Sequence, residues 1–174
     1  MKHNKILETN LSRWTGVLFL LMTVWSVTPA SAQSRLAITP ENAAPGAFSL
    51  YKFEFALPDS LPRSGAVSLS FPASMDVSGV KVAASSTIKG GLQIYVQNKE
   101  VLVTRRGEGD ALRAGTKVDL FLSVIKNPPD TASNLKLSAR VHQDAGRART
   151  QLRLGVWPAA AKITEGTFSL QQPE

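Results

Sequence analysis

The sequence predicts an all-β domain of two packed antiparallel sheets, and three observations predict it. Short runs of strict apolar/polar alternation recur along the chain, the period-two mark of a half-buried strand. Gly, Pro, Asn and Ser punctuate these runs at spacings of very roughly ten residues, as in sandwiches and barrels. Helical periodicity is nearly absent after residue 32. Because the strands are polar on one face, each sheet has a wet side. That favours about seven to nine strands in a sandwich over a closed barrel.

The chain opens with Lys2, Lys5 and Arg13, an apolar run from Trp14 to Val27, and Ala30-Ser31-Ala32 after Pro29. A basic start, a short apolar segment and an Ala-x-Ala site make up a helical signal peptide over residues 1–32, cleaved after Ala32. The apolar run is shorter than the roughly 20 residues a membrane span requires. It implies export, to the periplasm, the surface or the medium. The remaining residues divide into a sandwich over 33–158 and a C-terminal strand or tail over 159–174.

Seventeen Lys and Arg and twelve Asp and Glu follow residue 32, a net charge of +5. This surplus attracts anionic surfaces moderately. The chain has no cysteine, so disulfides, thiol catalysis and thiolate metal sites are excluded.

Arg35–Thr39 reads as the first strand, stopped by Pro40. In Leu50–Leu57, Tyr51, Phe53, Phe55 and Leu57 share one face and supply most of the aromatic mass of a core. Ala66–Phe71 alternates again, and Val77–Val82 is a weaker strand interrupted by Gly79. Leu92–Gln97 and Glu100–Thr104 form a hairpin about Asn98-Lys99, since Asn tolerates positive φ. The longest run, Thr116–Ile125, places Val118, Leu120, Leu122 and Val124 inward, and Asn127-Pro128-Pro129 ends it.

Leu135, Leu137, Ala139 and Val141 alternate against Lys136, Ser138, Arg140 and His142. Leu152, Leu154 and Val156 alternate against Gln151 and Arg153, which predicts a hairpin with Asp144-Ala145-Gly146 as its loop. Ile163–Leu170 supplies a last short strand.

The runs Tyr51–Phe55, Val67–Pro72, Glu100–Thr104, and Leu112–Thr116 leading into Val124–Pro128 resemble the immunoglobulin-like β-sandwich modules of bacterial and archaeal exported and surface proteins. The resemblance covers about half of the chain after residue 32. It implies a spacer, adhesive or binding role and transfers no catalytic residue.

Catalytic signals are sparse. His142 is the one histidine after residue 32, which rules out a multi-histidine metal site there. His142-Gln143-Asp144 offers a base and an acid for a serine nucleophile, but reads instead as an exposed hairpin end. Glu108 and Asp110 are the closest acidic pair, in a glycine-rich charged turn that reads as a solvated loop and has too few ligands for an EF-hand-type calcium site. No cofactor is expected.

A binding surface is the remaining candidate. Pairing of the last hairpin would gather Lys136, Arg140, Arg149 and Arg153 on one wet face, with Arg147 at the loop. Arginine forks suit carboxylates, sulfates and phosphates, so the expected partner is an anionic polysaccharide or envelope lipid. No aromatic interleaves the basic residues, which argues against nucleic acid. The alternative is an assembly subunit in which Ile163–Leu170 or Leu36–Ile38 adds to a partner's sheet, and behind it stands a polysaccharide hydrolase, for which Glu108 and Asp110 are the closest acidic pair.

Overall fold

A computed structural model describes residues 35–130, 134–157 and 163–170. The predicted signal segment and the last four residues lie outside the described residues. Nine strands and one helix follow in order: β1 (Ala37–Pro40), β2 (Phe48–Ala56), β3 (Ala66–Ser70), β4 (Ala83–Ala84), β5 (Leu92–Gln97), β6 (Glu100–Arg105), β7 (Lys117–Lys126), β8 (Leu135–His142), α1 (Ala145–Leu154) and β9 (Ile163–Phe168). Four strands form one sheet in the order β1-β2-β7-β4, and five form the other in the order β5-β6-β3-β8-β9. Every pairing is antiparallel.

Alternation builds the core. Tyr51, Phe53 and Phe55 of β2 and Val118, Leu120 and Leu122 of β7 are buried, as are Val67 and Leu69 of β3, Val101 and Val103 of β6, and Leu137 and Ala139 of β8. They join one apolar cluster between the sheets. Tyr51 places its hydroxyl there and donates to Asn127 Oδ1 at 2.5 Å. The Asn127 amide donates in turn to the carbonyls of Asn42 at 3.0 Å and Ala44 at 2.7 Å. The turn after β7 is thereby tied to the loop before β2, and a buried polar group is satisfied.

Three expectations need correction. Val77–Val82 is not a strand: Val77 and Val80 are buried, but the segment follows an isolated bridge from Asp76 to Lys126, turns from Val77 C=O to Val80 N and meets β7 only where Ser123 N donates to Val82 C=O, and β4 that follows has two residues. Val124 does not continue the inward face of β7. It adopts φ 62° and is exposed, while Ile125 is buried. The register slips between Ser49 and Tyr51 opposite it, so a β-bulge inserts one residue and reverses the facing.

The third correction is largest. The Leu152–Val156 run is no strand, and most of it lies in or just after α1. Asp144 is the N-cap and accepts from Gly146 N at 2.7 Å and Arg147 N at 3.1 Å. Gly155 closes the helix with φ 67°. Ala148 and Leu152, four residues apart and therefore on one helix face, are buried, whereas Leu154 and Val156 are exposed. Both segments proposed as donor strands are paired within the chain, β9 with β8 and β1 with β2.

Candidate binding face

Helix α1 lies on the outer face of the five-stranded sheet. Its buried Ala148 and Leu152 form a small second core with Ala66 and Leu102, flanked by Tyr95, Ala145 and Trp157. The small side chains of Ala66 and Ala148 fit the close approach of helix to sheet. The charged residues of α1 are Arg147, Arg149 and Arg153, and all three are exposed.

Arg149 is held in place. Its guanidinium stacks on the Tyr95 ring, 5.2 Å from the centroid, and donates to Tyr95 Oη at 2.9 Å. Such a cation–π contact fixes a planar fork without spending all its donors. Arg153 sits in the last turn, where a cation complements the helix dipole, and its carbonyl accepts from Gln97 Nε2 at 3.3 Å. Between α1 and β5 runs a groove of about 340 Å³, lined by Tyr95, Gln97, Arg149, Thr150 and Arg153 among others.

The structure separates the five predicted basic residues. Arg147, Arg149 and Arg153 share α1. Lys136 and Arg140 lie on β8, and the hairpin face expected to unite all five does not exist, because its second strand is helical. Arg140 is committed elsewhere: it donates to Ser70 Oγ at 2.8 Å, lies 3.9 Å from Glu100 Oε1, and sits over the Trp157 ring at 5.9 Å. Lys136 is exposed. Tyr95 and Gln97 were not singled out from sequence. Their signal was the alternation Gln93-Tyr95-Gln97, which sets an amphipathic aromatic on the outer face.

His142 also departs from expectation. It is buried at 7% exposure, and Ser68, which shares a 2.9 Å hydrogen bond with His142 Nε2, is at 0%. Burial, and secondarily the charge of Arg140, pushes the imidazole down to about 4. The ring packs on Trp157 at 5.0 Å. A serine and a histidine in contact suggest a nucleophile and base, but here the serine is sealed from substrate. Asp144 is engaged as the helix cap and does not orient the imidazole.

Glu108 and Asp110 stand on an exposed loop. Asp110 pairs with Arg63 at 3.0 Å, and Glu108 Oε2 accepts from Gly91 N at 3.3 Å. The turn is not wholly solvated, because it wraps Arg105. That buried guanidinium donates to the carbonyls of Leu61, Pro62, Lys89, Glu108 and Asp110. Asp119 is a further carboxylate engaged in structural bonds: Ser85, Ser86 and Thr87 donate to it, all but one of these bonds to Oδ1. Among the described residues no three His, Cys, Asp or Glu side chains group as metal ligands, and no helix is long and apolar enough to cross a membrane.

No family model matches the chain, and no curated protein matches it in sequence. In structure it is similar to the N-terminal domain of an adhesin from Streptococcus gordonii, at 15% identity and TM-score 0.48 over 80% of this chain and 33% of that one. The chain thus spans about a third of that adhesin chain. It is also similar to a cohesin module of a family 33 glycoside hydrolase from Clostridium perfringens (10% identity, TM-score 0.44, 80% of this chain and 98% of that one). A third similar structure is a Nocardia farcinica protein described as having an immunoglobulin-like fold (13% identity, TM-score 0.41, 80% and 85%).

Proposed function

We propose that this chain is an exported, non-catalytic module that binds an anionic partner of the cell envelope through the arginine face of α1 and the groove beside it. One observation carries the reading. Arg149 is oriented by Tyr95 with Arg153 one turn on along the same flank of α1, beside the groove that both line, on a helix with no acidic residue. Asp144, the acidic residue that directly precedes α1, is engaged as its N-cap by Gly146 N and Arg147 N. Export rests on the basic, apolar and Ala-x-Ala segments of residues 1–32. The non-catalytic reading rests on the commitment of His142, Ser68, Asp119 and Asp144 to structural bonds.

Heparin serves as a polyanionic probe. The protein lacking residues 1–32 should be retained on a heparin column at low salt, and R149E/R153E should elute at clearly lower salt, because exposed charges act through screened, additive attraction. Equal elution of the two proteins refutes the site. Release of shortened products from an anionic polysaccharide would refute the non-catalytic assignment.

A further inference from the structure

We propose that the free edge of β5 accepts an extended peptide in which apolar residues alternate with acidic ones, adding it as a sixth strand to the five-stranded sheet. The proposal deepens the reading of α1 as an anion-facing surface and rests on it.

The backbone is the first argument. Gly91 C=O accepts from Arg106 N, and the Gln97–Glu100 pair closes the β5–β6 hairpin. Odd-numbered residues of β5 therefore bond to β6. The N–H and C=O groups of Leu92, Ile94 and Val96 point away from β6 and carry no hydrogen bond among the described residues. An unpaired row of this kind is a template for another strand.

The core is the second argument. Leu92, Ile94 and Val96 belong to the inner face and pack against the main cluster, yet they are only half-buried, whereas Val101 and Val103 beside them on β6 are buried. Across from them the four-stranded sheet ends in β4, two residues long. A slot of about 510 Å³ lies between the two edges, lined by Val80, Val82, Ala83, Leu92, Ile94 and Val96 with Lys81 and Arg106 at its rim. The opposite side of the sandwich is closed: Leu36 N donates to Glu165 C=O at 3.1 Å.

Charge selects the occupant. A strand placed about 4.8 Å beyond β5 alternates its side chains between the two faces. Inward ones enter the slot beside Ile94 and over Val82, and apolar side chains suit it. Outward ones lie beside Gln93, Tyr95 and Gln97, along the groove that Arg149 and Arg153 line, and carboxylates suit that face. A second copy fits poorly, because two-fold pairing of β5 with itself brings both arginine groups together.

The test uses the protein without residues 1–32 and a capped synthetic octapeptide alternating valine and glutamate. Controls are the valine–lysine peptide, and the acidic peptide N-methylated at alternate amides, which removes ladder donors without altering the protein. The acidic peptide should bind, N-methylation should weaken it by about tenfold or more, and R149E/R153E should weaken the acidic peptide while improving the lysine one. N-methylated peptide binding equally well overturns the proposal. So does failure of the acidic peptide to bind while heparin retention persists, an outcome that leaves the anionic face standing. Loss of both overturns the reading of α1 as well. A dimer in solution that the peptide does not dissociate assigns the edge to a second copy and likewise overturns it.

Discussion

Ser68 Oγ and His142 Nε2 meet at 2.9 Å beneath Trp157, with neither side chain open to solvent. Burial, with the charge of Arg140 second, lowers the imidazole from 6.5 in the unfolded chain to about 4 in the fold. Between these values the unfolded chain binds the extra proton, so stability falls as pH drops from 6.5 to 4, by about 2–3 kcal/mol. Asp119 acts below that window: burial opposes its charge, but hydrogen bonds from Ser86, Thr87 and Ser85 outweigh burial and hold its carboxyl well below the usual range, so the stability it contributes is lost at more acid pH. Urea unfolding across pH should show the upper slope in the wild type and its flattening in H142Q. An unchanged slope in H142Q would contradict the assignment.

Arg105 should be the costliest surface-proximal residue to replace. Five carbonyls from three loops accept from its two terminal nitrogens, at 2.8 to 3.3 Å. In R105M the Lys89, Glu108 and Asp110 carbonyls lose this donor, while Leu61 C=O keeps Leu112 N and Pro62 C=O keeps Gly65 N, and a loss of about 3 kcal/mol is expected. R105K should recover only part of it, because an ammonium is a point charge and not a fork. Midpoints of denaturant unfolding measure both.

Val124 is a β-branched residue at φ 62°, a conformation that strains such side chains. Since the side chain is 46% exposed, little burial is lost on trimming it. V124G should therefore raise stability by about 1 kcal/mol, seen as a higher melting temperature. A decrease would show that the valine contributes packing that outweighs the strain.

Gly166 on β9 faces the Leu36 carbonyl so closely that an added Cβ would overlap its oxygen. G166A must displace backbone at the closed side of the sandwich, at a cost of about 2 kcal/mol or more. Thermal melting beside wild type decides this, and a melting temperature unchanged by the alanine would mean that this side yields freely.

The strands were legible where one face is buried and the pattern unbroken. Tyr51-x-Phe53-x-Phe55 and Val118-x-Leu120-x-Leu122 declare their inner faces without ambiguity, and the Asn98 turn matches its observed φ of 54°. Two features escaped for physical reasons. A bulge changes facing without changing composition, so Val124 looks like the next inward residue until its partner strand is known. In α1, Leu152, Leu154 and Val156 satisfy a period of two while Ala148 and Leu152 satisfy a helical one, and Asp144 with Gly155 decides for the helix. The basic residues were visible as candidates, but their grouping depended on that choice. The edge of β5 was not legible, since an open side is a property of where its neighbours stop.

Helix α1 rests on the sheet through its own small cluster of Ala66, Leu102, Ala148 and Leu152, apart from the main interior. It can consequently lift away as a local unit while the sandwich stays shut, so its amides should exchange with deuterium well before those of β3 and β6. Any opening of that kind parts Arg149 from Tyr95, so the arginine pair is set for a ligand only while the helix stays seated.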